Sequence, residues 1–533
     1  MPPAFVLEAE ARLESGMLIG LAGSRGDGVR ELRDEDLLNE EDVPQNESAD
    51  GVPVEEGAEH PLVDWLAAAY AKCEGGEALP PRQWLLAESA DGALELALRA
   101  LVPGGGAVLV ETPAAPEALE LMRRLGLRAV PVECDRDGML PDDVRRKVRL
   151  AGGKPAGGEP ALAYVTPHFS NPSGRVWSRQ RKLELLALSA ELELPIVEDD
   201  TAGALPFALI LKNTKVPEAL EALEALETGA AVEERLTAAG QGDVMPRTMV
   251  PGDEIPKEMV RENEMLQAVV PRNKMPKAVV PRNKMPKAVV PRNKMPKAVV
   301  PRDKMPKALV PGDEIPKAAV PGVPESLFRL RQTAGISEAE VIGVGSFERT
   351  LLPQLPLAWL RGEAAALERL RREAERGRGV GGSSAAGPAR QWSESDRTAD
   401  DRAVAARAGR LRAWLASPAA ARHAAAADAA YTARRKLALE LLQAPAWRGA
   451  CAADPGGGLY LWVSLPAGIS SEALLRASLL EGTAFLPGTL CYASEPDDGF
   501  IRLTVAALEE ARLREGLARI AAALAGFTAR SGS

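Results

Sequence analysis

Polar residues that close an apolar run are where a chain can do chemistry, and four stretches of this sequence have that form. "ELPIVEDD" ends in Glu198, Asp199 and Asp200, and a strand-end carboxylate can cap the turn that follows. "SNPSG" places Asn171 before Pro172, a pair that starts turns in any protein. "GFIRLTVA" isolates Arg502 in an apolar run, and a guanidinium suits two-pronged contact to a carboxylate. "GSFERTLLPQLPLAWL" sets Glu348 and Arg349 after another such run. Arginine stays protonated at any accessible pH and is a poor nucleophile, so Arg349 cannot serve as a covalent amine.

Other chemistries are excluded. His60, His168 and His423 are the three histidines, too few for a His-based metal centre, and each reads as a surface or partly buried structural residue. Cys73, Cys134, Cys451 and Cys491 show neither CxxC nor paired spacing, so a reducing, cytoplasmic setting is expected rather than a disulfide framework or a zinc site. No apolar run is long enough to span a membrane, and "MPPAFVLEAEARLESG" has acids where a leader needs bases. A net charge of −10 argues against a nucleic-acid surface.

The elements that must position these residues alternate. "GGAVLVETP", "ALAYVTP" and "ELPIVEDD" are short apolar runs ended by turn residues, and "ADGALELALRALV", "APEALELMRRLG" and "SRQRKLELLALSAELE" carry apolar residues at three and four spacing between them. That alternation predicts a mostly parallel sheet covered by helices on both faces, with "ETPAAP", "TPHFSNPSG", "EDDTAG" and "GSFERT" gathered round one crevice at the strand ends. After Leu360 come Ala/Arg/Leu/Glu-rich helices, with "GVGGSSAAGPARQWSESDRTADD" reading as a mobile loop between two of them, and then a smaller α+β unit.

A decapeptide repeat interrupts this order between residues 241 and 320, with PRNKMPKAVV present three times. Proline at positions one and six forbids a stable helix and spoils sheet pairing, so an extended, disordered segment is expected. These eighty residues carry a net +7, leaving −17 for the rest of the chain. A docking segment for an acidic partner, centred on residues 271–310, is one reading, and a tandem expansion in a tolerant surface loop is the other.

Taken in order, these motifs resemble the fold-type I pyridoxal-phosphate aminotransferases of class I/II, closest to the 2-aminoadipate and kynurenine aminotransferase group and the aminotransferase domain of MocR regulators. The resemblance runs from "LAGSRGDGVRELRDEDLL" to the last helix, interrupted between roughly 208 and 322. It implies an α/β fold, a three-layer large domain with a mostly parallel sheet plus a smaller α+β domain. The implied divisions are an N-terminal segment (1–60) packing with the small domain, a large domain in two parts (61–207 and 323–360) around the insertion (208–322), and an interdomain helix with the small domain (361–533). It also implies a homodimer, an amino acid or 2-oxo acid ligand, and pyridoxal phosphate as cofactor.

Residue by residue, the resemblance assigns Asn171 to the cofactor ring oxygen and the substrate, Asp199 to the pyridine nitrogen, and Arg502 to the substrate carboxylate. Ser89, Ala90, Asp91 and Ser346 fall where the phosphate is held. The departures are larger. Arg349 stands at the Schiff-base lysine, Glu348 at a serine, and Pro356 at a phosphate-binding arginine. Ala115 stands at the ring-stacking aromatic and Ala202 at a tyrosine, while the partner's tyrosine falls loosely near Val52. No lysine lies between Lys317 and Lys436, or after Lys436. Because the losses fall on the cofactor site while the apolar periodicity survives, the expectation is a folded, catalytically impaired homologue with weak or no cofactor binding. The alternatives are an active aminotransferase using another amine, or a scaffold acting through the basic repeat.

Overall fold

Runs such as "AVLVE" and "VIGVGS" are apolar on both faces, and only a sheet covered on both sides can use them. The computed structural model describes residues 19–22, 60–103, 105–150, 161–203, 205–213, 325–379, 394–447 and 449–531. All of them belong to one unit made of Met1–Leu223 and Pro306–Ser533. The decapeptide repeat and Val52 lie outside the described residues.

The large sheet has seven strands in the order Trp84–Ala87, Ala358–Arg361, Val341–Ser346, Ile196–Asp199, Ala161–Val165, Ala107–Glu111, Arg128–Val132. Ala358–Arg361 runs antiparallel to both neighbours, and the remaining pairs are parallel. Every residue of Ala107–Glu111 and of Val341–Ser346 is buried. Helices cover both faces, and three of them are started by a side-chain cap that takes an orphan amide: Ser89 before Ala90–Leu101, Ser178 before Arg179–Leu192, and Ser326 before Leu327–Thr333. Glu198 accepts the Leu327 and Phe328 amides at 2.8 and 3.1 Å, which ties that last helix to the strand end beside the site.

The smaller sheet runs Ile19–Leu21, Thr483–Pro487, Phe500–Thr504, Tyr460–Ser464, Cys451–Ala452. Arg502 therefore sits on a central strand and is fully buried. The helix Pro418–Leu442 joins the two sheets' surroundings, because Tyr431 Oη donates to the Thr350 carbonyl at 2.7 Å on the large-sheet side and Arg434 Nη1 donates to the Ala506 carbonyl at 3.0 Å on the small-sheet side.

Two expectations need correction. The stretch read as a mobile loop becomes helix from Glu394, the start of Glu394–Leu415. His168 and His423 are buried rather than surface groups, since each finds carbonyl or carboxylate partners inside the fold.

Candidate functional site

The turns after four parallel strands meet in one place. Ala115, Asn171, Asp199, Ala202 and Arg349 line a common cavity of about 10 Å³, about enough for a single water. Glu111 is buried at the end of its strand, behind these lining residues. It accepts from the Thr166 amide (3.0 Å) and hydroxyl (2.7 Å), the Ser170 hydroxyl (3.0 Å) and the Trp177 indole (2.9 Å), and so fixes the turn that carries Asn171.

Asp199 is satisfied by its own chain. Its Oδ2 accepts from Tyr164 Oη at 2.8 Å, and its Oδ1 accepts from the Thr201 amide at 2.9 Å and hydroxyl at 2.7 Å. Burial, reinforced by that carboxylate, pushes the Tyr164 hydroxyl well above its ordinary value, so it remains a donor.

The Arg349 turn is rigid. The Phe347 carbonyl accepts the Leu351 and Leu352 amides at 2.9 and 2.8 Å, and the Phe347 ring meets Trp359 edge-on at 5.0 Å. Ser346 Oγ donates to the Leu357 carbonyl at 2.7 Å and accepts the Glu348 amide at 2.9 Å, so its hydroxyl serves the turn itself. Glu348 Oε2 accepts the Ala90 amide at 2.9 Å, while Ser89 Oγ takes the Gly92 amide at 3.0 Å. A carboxylate of this chain thus occupies the first amide of the helix Ala90–Leu101, where the partial positive charge of a helix start attracts anions.

Arg349 itself is buried and donates to Asp91 Oδ1 at 2.6 Å; Asp91 is more than half exposed. Burial alone would pull its guanidinium down, but Asp199 and Glu117 hold it above the ordinary arginine value, which makes it a fixed cation. A second fixed cation, Arg502, reaches across from the small sheet. Its Nη1 donates to Asn171 Oδ1 at 2.7 Å and to Glu117 Oε1 at 3.2 Å, and its Nη2 to the Ala22 carbonyl at 2.8 Å. Asn171 Nδ2 donates to the other Glu117 oxygen at 3.2 Å. Despite desolvation, Arg502 and Arg349 hold the Glu117 carboxyl below the usual range.

Pyridoxal phosphate would need an open helix start for its phosphate and an amine for its aldehyde. Here Glu348 holds the helix amide and a guanidinium stands at the amine position. One buried lysine, Lys182, contacts the cavity-lining His168, but its amine is taken at 2.7 Å by both His168 Nε2 and the Glu325 carbonyl. The residues present do not fit this cofactor.

Sequence reasoning missed Glu117, Glu111 and Tyr164. An acid in the first turn of a helix reads as ordinary helix-dipole chemistry, and nothing local links Glu117 to an arginine 385 residues away. Tyr164, one residue inside the strand run "ALAYV", gives no sign of facing Asp199.

The fold is the architecture of the fold-type I aminotransferases, a mostly parallel sheet domain beside a smaller α+β domain. No family model matches the chain. Among solved structures, the chain is similar to the kynurenine aminotransferase of Pyrococcus horikoshii, with a TM-score of 0.60, 18% identity, and coverage of 99% of this chain and 95% of that one. It is likewise similar to an archaeal alanine:glyoxylate aminotransferase, with a TM-score of 0.61, 18% identity, and coverage of 97% and 94%. In sequence it is similar to an aromatic amino acid aminotransferase of Schizosaccharomyces pombe, 35% identical over 107 residues, or 20% of this chain and 23% of that one. It is also similar to the 2-aminoadipate transaminase of Thermus thermophilus, 39% identical over 75 residues (14% and 19%). An uncharacterised HTH-type transcriptional regulator of Bacillus subtilis is 31% identical over 144 residues, 27% of each chain. The aligned stretch spans about a quarter or less of the length of these curated relatives.

Proposed function

We propose that this chain is a catalytically impaired homologue of the class I/II aminotransferases, one that keeps the architecture and does not transfer amino groups. The observation that carries this reading is the filled site: Glu348 on the Ala90 amide and Arg349, itself paired with Asp91, at the amine position. With a permanently protonated guanidinium there, no covalent bond to a carbonyl can form. What remains is a folded body with a role in binding, or in pairing with itself or with an active relative. A homodimer and a cytoplasmic setting belong to the same reading.

The alternative, a working pyridoxal-phosphate-dependent aminotransferase, draws on Asn171, Asp199 and Arg502. In this fold those three are bound to Tyr164, Thr201, Glu117 and one another. The test is amino-group transfer by the full chain, supplied with pyridoxal phosphate and a panel of amino acids against 2-oxo acids. No turnover above a cofactor-only control is expected. Turnover of any one pair overturns the reading.

A further inference from the structure

Arg99, Arg123 and Arg372 on the surface each pair with an acid on their own helix. The helix Glu394–Leu415 is different. Between residues 401 and 415 it carries Arg402, Arg407, Arg410 and Arg412 against a single acid, Asp401. Arg402 and Arg410 are exposed, Arg407 and Arg412 are half-buried, and none of the four has an ion pair among the described residues. Arg407 donates to the Ala403 carbonyl of its own helix at 3.2 Å.

Arg402, Ala405, Gly409 and Arg412 follow one another at spacings of three and four, so they share one face of that helix. The chain enters the described structure at this face. The helix Pro61–Glu74 packs against Glu394–Leu415, and His60 starts it by accepting the Leu62 amide on Nδ1 at 3.1 Å. Burial lowers the His60 pKa while the Ala405 backbone raises it, which sets the ring against Ala405. Arg402 stands about one turn before Ala405 and Arg412 about two turns after it.

The stretch that arrives at His60 has the complementary charge. Residues 31–59 carry twelve acids and one arginine, a net −11. Arg402 and Arg412 are about 15 Å apart along the helix, a distance that about five extended residues span, and Glu55, Glu56 and Glu59 lie within five residues of His60. Ala405 and Gly409 between the arginines are small, so a neighbouring backbone can come close enough for the guanidinium groups to grip carboxylates. The decapeptide repeat, with its net +7, has the wrong sign for this face.

We propose that the arginine face of Glu394–Leu415 is a docking surface for the acidic stretch 31–59 of the same chain, with Glu55, Glu56 and Glu59 on the arginines nearest His60. This contact is independent of whether the chain transfers amino groups.

The test is digestion of the full chain by a glutamate-specific protease, with cuts within residues 31–59 timed by mass spectrometry. Arg402→Glu with Arg412→Glu should speed those cuts about five-fold or more, because attractive contacts become repulsive and the stretch is released. Arg402→Gln with Arg412→Gln should speed them in the same direction by less, and a thermal melt of each variant confirms folding. Arg124→Glu with Arg149→Glu, the same charge change on exposed arginines elsewhere, should leave the cuts at the native rate. Salt at about 1 M, where screening shortens to about 3 Å, should erase the differences. Cutting at the native rate in both Arg402 and Arg412 double variants overturns the proposal. Protection that grows with protein concentration also overturns it, because the stretch then docks on a second copy.

Discussion

Glu117 lies on Arg502 as a bound carboxylate would, 3.2 Å from Nη1, with its second oxygen 3.2 Å from Asn171 Nδ2. Arg502 comes from the small sheet, Glu117 from the first turn of the helix Pro116–Arg124 and Asn171 from a turn of the large sheet, so this internal acid satisfies a buried cation and joins the two domains.

Removing that acid should have two effects. Glu117→Gln leaves the Arg502 guanidinium buried without its counter-charge, and stability should fall by about 1.5 to 3 kcal/mol in denaturant unfolding, the range for a charged hydrogen bond. Acetate or another small carboxylate should then raise the melting temperature of the variant and leave that of the native chain unchanged.

Glu348 plays the same part at the helix start. Glu348→Ala leaves the buried Ala90 amide unpaired and should cost about 1 to 2 kcal/mol. Because a freed helix N-terminus favours anions, inorganic phosphate should recover part of that loss in the variant, read as a rise in melting temperature absent from the native chain.

The buried Asp200–His168–Lys182 row sets the pH response. His168 Nδ1 lies 2.9 Å from Asp200 Oδ1, and burial, helped by the nearby Lys182 charge, lowers the His168 pKa from 6.5 to about 3. The unfolded chain therefore binds this proton more readily, and stability is lost as pH falls from about 6.5 towards about 3. Burial lowers the Lys182 pKa from 10.5 to about 8, so its contribution to stability rises between about pH 8 and 10.5. Burial raises the Asp200 carboxyl well above its ordinary 3.8, which opposes the His168 slope above about pH 4, so the acid slope should be read as the difference between the native chain and His168→Gln in denaturant unfolding across pH.

Arg349→Lys alone should not restore a cofactor site. It returns an amine but leaves Glu348 on the Ala90 amide and Glu117 on Arg502. The double change Arg349→Lys with Glu348→Ser should give a stronger pyridoxal-phosphate absorbance than the single one, because it also opens the helix start.

The large-domain architecture was legible because its signals are local. Apolar runs such as "VIGVGS" and turn residues at their ends announce buried parallel strands, and the four motif turns come together in space. The identity of Arg349 was legible too, since a residue type excludes chemistry whatever its surroundings. How the site is satisfied was not. Glu348 reaches a helix 258 residues earlier and Glu117 an arginine 385 residues later, and such pairings depend on tertiary geometry that no local pattern encodes. The helical start of Glu394–Leu415 was hidden by its polar composition, which reads as loop until its later turns pack.

The central claim is that this chain's own side chains fill the place where a transaminase holds its cofactor. Its most direct test is spectrophotometric titration of the full-length native chain with pyridoxal phosphate, followed by borohydride reduction and peptide mass spectrometry. The account predicts no saturable violet absorbance and no stoichiometric adduct at a defined lysine. A saturable band with a single reduced lysine adduct would contradict it.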